Sequence, residues 1–548
     1  MRNAANKSLP RFTAVVIAFV AVMGLAGCGA RAPLDAAGID LSAPAQISTG
    51  QDTFEYAAAE ATMRAGMKGV LHRYIDPVQA DELALNGLRG LSAIAPGFAL
   101  SIENGMIQVK LDGALAVEFP RPEDADAAMW AALMRETLRI VRGRSPDLKS
   151  ADNERTYEAV FDGMLGGLDA FSRYASAEQA QLNRARRDGY GGIGIRFRTT
   201  RAAGVIAVVE ADSPAQIGGL RPGDRVVAIN DLDTSALSIR QIVQHLRGPV
   251  GSSVTLTIAR ARHGNNQSHR LTVTLNRTHI VQETVQSKIQ DQVMRLTISS
   301  FNKNTAASLR KILSAQHADF ETGRLKGVVM DLRGNPGGLL SQSVSVADLF
   351  LNQGRIIATR GRHPDSFHDY RAGGSDMIDG KPLVVLVDGN SASAAEIVAS
   401  ALQDLGRAVV VGSASYGKGT VQTVLRLPND GELTLTWSRL VSPSGYALHR
   451  LGVMPTVCAT NTPDGDARAI LAPQHIARQR QALSAWRAAG MIFDGRRAQL
   501  RGDCPAQIFK IETKDDLLMQ LAGRVLDDPG LYQQALMGPA IINTAARR

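Results

Sequence analysis

Residues 327–338 read Gly327-Val328-Val329-Met330-Asp331-Leu332-Arg333-Gly334-Asn335-Pro336-Gly337-Gly338. The first six form a short, mostly apolar run, the pattern of a strand buried on both faces, and the run stops at glycines and a proline. Leu383-Val384-Val385-Leu386-Val387 and Ala408-Val409-Val410-Val411-Gly412 repeat the pattern downstream. Helical spacing follows the first two runs, and a strand over 293–298 and a helix through about His317 precede them. A mostly parallel α/β core is therefore expected. Ligands of such sheets gather beyond the carboxyl ends of the strands, and three loops fall there.

Each loop suggests its own chemistry. The glycines of Arg333-Gly334-Asn335-Pro336-Gly337-Gly338 can present free amides to a developing negative oxygen, or only make a tight turn. In the second loop, Asp388-Gly389-Asn390-Ser391-Ala392-Ser393-Ala394-Ala395-Glu396-Ile397, Ser393-x-x-Glu396 has the form of a capping box ahead of an Ala-rich helix to about Leu405. The same geometry suits a nucleophile, because the dipole and free amides at a helix N-terminus stabilise an oxyanion. The third, Gly412-Ser413-Ala414-Ser415-Tyr416-Gly417-Lys418-Gly419-Thr420, approaches a phosphate-binding P-loop. A P-loop runs into a helix, whereas Val421-Gln422-Thr423-Val424-Leu425-Arg426-Leu427 is a strand pattern, so nucleotide binding is not expected.

Upstream, the composition shifts at Asp188. Short β-rich segments over 205–209, 225–229, 254–258 and 271–275 alternate with a helical piece from Ser213-Pro214-Ala215 and another over 238–246. With Gly192-Ile193-Gly194-Ile195, Gly218-Gly219-Leu220, Arg221-Pro222-Gly223-Asp224 and Gly248 with Gly251, the stretch 188–278 resembles a PDZ domain. That resemblance implies capture of an extended peptide tail as an added strand, with Gly192, Ile193, Gly194 and Ile195 receiving the terminal carboxylate.

Taken together, the loops resemble the carboxyl-terminal processing proteases, the tail-specific serine peptidases. The match runs from Gly163-Met164-Leu165 and Leu168-Asp169 through Asp331 to Gly338, Ser391 to Ile397, Ala401-Leu402-Gln403-Asp404 and Tyr416 to Gln422, ending at Gly452-Val453-Met454-Pro455. The resemblance implies Ser393 as nucleophile, Lys418 as general base, Gln422 as the residue orienting the lysine, and amides of Gly337, Gly338 and Ala394 as oxyanion hole. Ala170-Phe171, Ala395 and Thr456 depart from the usual Pro-His, serine and aspartate; none is among those residues. Free lysine titrates about three units above neutrality, so a lysine base requires burial or nearby positive charge. No metal or organic cofactor is implied. A Ser-His-Asp triad is not suggested by any motif, though triads are defined in space.

The whole chain has 548 residues, 45% hydrophobic and 21% charged, which fits several globular units and excludes disorder throughout. Its net charge of +9 comes from scattered basic residues, densest at Arg184, Arg186 and Arg187. Aromatics are 5%, so the interleaved basic and stacking face of a nucleic-acid binder is missing and none is expected as partner. Arg2, Lys7 and Arg11 precede an apolar run from Phe12 to Gly27 ending Leu25-Ala26-Gly27-Cys28, too short to span a bilayer comfortably. It resembles a lipoprotein signal peptide (1–27) with Cys28 lipidated, and Gly29 after it suggests a periplasmic protein anchored to the outer membrane. Cys458 and Cys504 remain, free to pair or to stay apart in an oxidising compartment.

The expected order is signal peptide, flexible tether (28–53), helical N-terminal region (54–180), PDZ domain (188–278), α/β, crotonase-like serine protease core (285–457) and helical C-terminal segment (458–548). Within the N-terminal region a strand-like stretch near Gly105 to Leu115 interrupts the helices. There Asn86-Gly87-Leu88-Arg89-Gly90-Leu91 is echoed by Asp162-Gly163-Met164-Leu165-Gly166-Gly167-Leu168, a duplication or a chance likeness of Gly/Leu-rich helices. The C-terminal segment reads as an oligomerisation arm or a helical cover. The function expected is a lipid-anchored serine endopeptidase acting on proteins with exposed C-termini through a Ser-Lys dyad, with an adaptor or self-assembly left open. A non-catalytic tail-binding scaffold and a crotonase-like acyl-transfer enzyme are the alternatives.

Overall fold

Gly327–Asp331 is buried along its whole length and lies third in a six-stranded sheet. The order is Val285–Gln290, Val293–Ile298, Gly327–Asp331, Leu383–Val387, Val409–Gly412 and Val457–Cys458, parallel throughout except for the first, antiparallel edge. The computed structural model describes residues 53–122, 126–198, 204–262, 265–460, 466–511 and 516–536. The signal peptide, Cys28 and the tether up to Asp52 lie outside the described residues.

Alternate side chains of the parallel strands face opposite layers, and both layers are apolar. Val328, Met330 and Val385 pack with Leu309, Val346, Ile397 and Leu402 of the helices Thr305–Ala315, Leu340–Asp348 and Ala394–Asp404. Val329, Val384, Leu386 and Val411 pack instead against Leu518, Leu521 and Val525 of the helix Leu517–Asp527. Each such leucine or valine contributes about 1.5–3 kcal/mol over its exposed state. The C-terminal segment is thus a cover that completes the sheet. It is also fastened: Arg333, fully buried, is bidentate to Asp516 at 2.7 and 2.9 Å and bonds Asp331 as well. Cys458 and Cys504 form a disulfide with Cα atoms 6.0 Å apart.

A second sheet stands beside the first, with Thr420–Arg426, Glu432–Val441, Arg355–Gly361 and His368–Arg371 in that order. Arg173–Ala175 pairs onto it, Arg173 opposite Thr434. The N-terminal region, expected to be helical, therefore delivers a strand into the protease core before its last helix, Ala177–Asp188. Its interrupting stretch is likewise a three-stranded antiparallel meander over Phe98–Glu103, Met106–Leu111 and Ala114–Pro120. The Gly/Leu echo marks a helix crossing. A Cβ on Gly90 would lie 2.0 Å from the Ala159 carbonyl, and one on Gly163 would lie 2.4 Å from that of Asn86, so the helices Ala80–Arg89 and Asn153–Leu165 meet only because both positions are glycine.

The PDZ segment has a four-stranded sheet built on Arg225–Ile229, Ser253–Arg262 and Asn265–Asn276, plus the helices Pro214–Ile217 and Ile239–Leu246. Ile206, Val226, Ile242, Leu256 and Ile258 form its own core.

Candidate active site

Ser393 opens the helix Ala394–Asp404 in the left-handed region, at φ +55° and ψ −112°. A non-glycine residue there is strained by on the order of 1–3 kcal/mol and persists only where its surroundings hold it. The holding group is Glu396, fully buried one turn on. Ser393 and Glu396 form the expected capping box, the Ser393 N–H donating to Glu396 Oε2 at 2.6 Å. The capping role does not shut the residue away, because the half-buried Ser393 also lines an open cavity of about 340 Å³.

The same carboxylate organises the lysine loop. Oε2 also accepts the Lys418 N–H at 2.9 Å, while Oε1 accepts the Gly417 N–H at 2.7 Å and the Ser415 hydroxyl at 2.5 Å. Burial raises the Glu396 pKa and these donors oppose the rise. Sequence reading assigned Glu396 only a cap; its second use depends on residues about twenty positions away. Gly412–Thr420 then passes directly into the strand Thr420–Arg426, with no helix as a P-loop would need.

The Lys418 side chain is half-buried. Its Nζ stands 5.1 Å from the centre of the Phe171 ring and makes no hydrogen bond or ion pair with any described residue. Burial lowers its pKa first and the positive charge of Arg173 lowers it further; Glu396 and Asp169 act the other way. Asp169 is held by the Phe171 and Ser172 N–H groups and by the Ser172 and Thr436 hydroxyls. Asp169, Phe171 and Arg173 thus form the lysine's surroundings, and sequence reading missed them. The available signals were Leu168-Asp169 within the family match and the Ala170-Phe171 departure, whose second residue is the one beneath the amine.

Of the remaining residues singled out, Gln422 lines the Ser393 cavity, but its Nε2 donates to the hydroxyls of Thr420 at 2.9 Å and Thr436 at 3.4 Å, and no hydrogen bond joins it to Lys418. Gly337 packs against Ser393: an added Cβ would lie 2.8 Å from the Ser393 Cβ and the Ala392 carbonyl, and its φ is +99°. Its N–H is donated to Asn335 Oδ1 at 2.8 Å, which removes Gly337 from the set of oxyanion donors. Gly338 and Ala394 keep amides with no partner among the described residues. No histidine lines the cavity. His449 lies between Phe171 and Phe493, its pKa pulled down to about 4 by burial and by Arg450, Arg439 and Arg497. Among the described residues no group of His, Cys, Asp and Glu could hold a metal ion.

In the PDZ segment, Gly192, Gly194, Ile195, Phe197 and Val243 line a narrow groove between the strand Ile195–Phe197 and the helix Ile239–Leu246. The Ile193 side chain is buried in the domain core, so only its backbone is available to a ligand. Arg247 stacks 4.2 Å over Tyr190 at the groove's end.

Comparison with known proteins agrees with this layout. Residues 292–459 match the model of peptidase family S41, and residues 205–260 match that of a PDZ domain. A carboxy-terminal-processing protease of Bartonella bacilliformis is 37% identical over 319 residues, covering 58% of this chain and 72% of that protein. A carboxyl-terminal-processing protease of Picosynechococcus is 31% identical over 326 residues, covering 58% and 76%. Among solved structures, a photosystem II D1 C-terminal processing protease aligns over 73% of this chain and 97% of its own at 22% identity, with a TM-score of 0.35.

Proposed function

The chain belongs to peptidase family S41, with the carboxy-terminal-processing proteases, and from that membership we propose that Ser393 is its nucleophile and Lys418 its general base. It is a serine-type peptidase that carries a PDZ domain. The observation that supports the assignment best is the strained Ser393 backbone at a helix N-terminus, beside two free amides and tied through one carboxylate to the lysine loop.

In the proposed reaction the Ser393 Oγ attacks the scissile carbonyl carbon while its proton passes to neutral Lys418. Negative charge collects on the carbonyl oxygen, which the Gly338 and Ala394 N–H groups receive. As the C–N bond breaks, Lys418 returns the proton to the leaving amine and an ester remains on Ser393. Water then attacks the ester, Lys418 again taking and returning the proton, and the carboxylic acid departs. No hydrogen bond joins Lys418 to Ser393 in the free chain, and the contact is proposed to form with substrate bound, in keeping with catalytic hydrogen bonds that tighten only then. Gln422 is proposed to steady the amine once it has turned.

The PDZ groove is proposed to take the C-terminal tail through Gly192, Ile193, Gly194 and Ile195. The resemblance of residues 1–28 to a lipoprotein leader supports the proposal of a periplasmic body anchored to the membrane through Cys28, with proteins of the envelope as substrates. Purified chain lacking residues 1–28 should degrade a denatured protein with an apolar C-terminus, whereas Ser393→Ala and Lys418→Ala should both be inert. Cleavage retained by either variant would overturn the dyad.

A further inference from the structure

The cavity that holds Ser393 has an uneven electrostatic character. Its walls near the serine are neutral, from Leu339, Ile397, Thr420 and Gln422, and no aspartate or glutamate lines it. Three arginines do: Arg173 from the strand Arg173–Ala175, and Arg186 and Arg187 from the helix Ala177–Asp188. Arg187 is committed to Glu432, which it reaches at 2.9 Å and shares with Arg184 at 3.1 Å. Arg173 and Arg186 make no ion pair with any described residue; Arg173 spends one N–H on the Phe171 carbonyl at 3.2 Å and Arg186 spends none.

Resting on the peptidase reading above, we propose that Arg173 and Arg186 form a substrate subsite that binds a carboxylate next to the bond being cut. An anion there gains charge-assisted hydrogen bonds from planar guanidinium donors, in a cleft already screened from water on its apolar side. The carboxylate has two sources, an aspartate or glutamate side chain in the chain being cut or the chain's own C-terminal carboxylate. The chemistry is the same, but the first gives an endopeptidase that favours acidic sequences and the second one that trims short C-terminal fragments. The site is separate from the PDZ groove, which is lined by other residues.

The test measures peptide binding by fluorescence anisotropy to the full chain carrying Ser393→Ala, and cleavage by the chain with Ser393 intact. Three labelled peptides of one length are compared: one with a central glutamate and an amidated end, one with glutamine in its place, and the glutamine peptide with a free carboxyl end. The glutamate peptide or the free acid should bind, and be cut, about tenfold better than the neutral amide. Whichever of the two is preferred identifies the source. Arg186→Gln and Arg173→Gln should bring that ratio close to one, and Arg186→Glu should turn the preference toward a lysine peptide. A ratio of one in the parent chain overturns the subsite. So does a preference that survives Arg186→Gln together with Arg173→Gln, since it then arises in the PDZ groove. Carboxylate-dependent binding lost in those variants, in a chain that cuts nothing, would support the subsite and overturn the peptidase reading.

Discussion

Ser393 and Lys418 donate their backbone N–H groups to the same oxygen, Glu396 Oε2, at 2.6 and 2.9 Å. The two groups proposed to exchange a proton therefore have their main chains fixed to one buried point, while their side-chain ends remain free to meet over a substrate. Glutamine in place of Glu396 sets an amide NH₂ against two donors on whichever side it faces, and each unsatisfied buried donor costs about 1–3 kcal/mol. Glu396→Gln is expected to lower kcat about 100-fold with a smaller change in KM, together with a lower Tm. Steady-state kinetics and thermal unfolding of one preparation check both, and unchanged kcat would show that the shared oxygen is dispensable.

Arg173 adds positive charge beside the lysine, which together with burial holds the Lys418 pKa below its ordinary value. With neutral Lys418 as the proposed base, activity should rise as pH increases through that pKa. Removing the arginine charge raises the pKa, and the acid limb of kcat/KM should move to higher pH in Arg173→Gln. The measurement needs a neutral, amidated peptide, so that any contact between Arg173 and a substrate carboxylate does not enter. A limb that stays in place would mean that burial alone tunes the lysine.

Gly337 occupies φ +99° with Ser393 Cβ and the Ala392 carbonyl each 2.8 Å from where its own Cβ would be. Gly337→Ala combines left-handed strain of about 1–2 kcal/mol with displacement of Ser393. Peptide cleavage should drop at least about tenfold, given that a small misplacement of a nucleophile is costly. Tail binding at the PDZ groove, read by anisotropy, should be unchanged, which separates a local effect from unfolding.

His449 is neutral in the folded protein down to about pH 4, whereas in the unfolded chain it titrates at its ordinary value of 6.5. Between those values the unfolded state binds more protons, so stability rises with pH across the window and is lost as pH falls through it. Because solvent reaches part of the ring and screens the neighbouring charges, the loss is expected to be about 1–2 kcal/mol, below what about 1.4 kcal/mol per tenfold difference in proton affinity would give over the whole shift. Urea midpoints measured from pH 7 to pH 4 should show this slope in the parent chain and a shallower one in His449→Gln. Parallel slopes would assign the acid sensitivity to other groups.

Much of this protein follows from local order in its sequence. Runs such as Leu383–Val387 read as buried strands, because they are apolar throughout, rich in β-branched valine and shorter than a helix of ordinary length. Ser393, Lys418 and the PDZ glycines lie in contiguous motifs, so their type and spacing were readable without any fold. The surroundings that give those residues their properties were not. Asp169, Phe171 and Arg173 reach Lys418 because a strand from the N-terminal region pairs with Glu432–Val441, about 260 residues away, and no periodicity encodes such a pairing. The Gly337 amide is lost to the neighbouring Asn335 side chain through a rotamer, and the helix Leu517–Asp527 finds the open face of the sheet through shape and apolar area. Sequence pattern fixes which groups a chain owns and which surfaces it must bury. Burial, charge and hydrogen bonding between distant segments set what those groups can do, because desolvation and Coulomb energies depend on distances that exist only after the chain has closed.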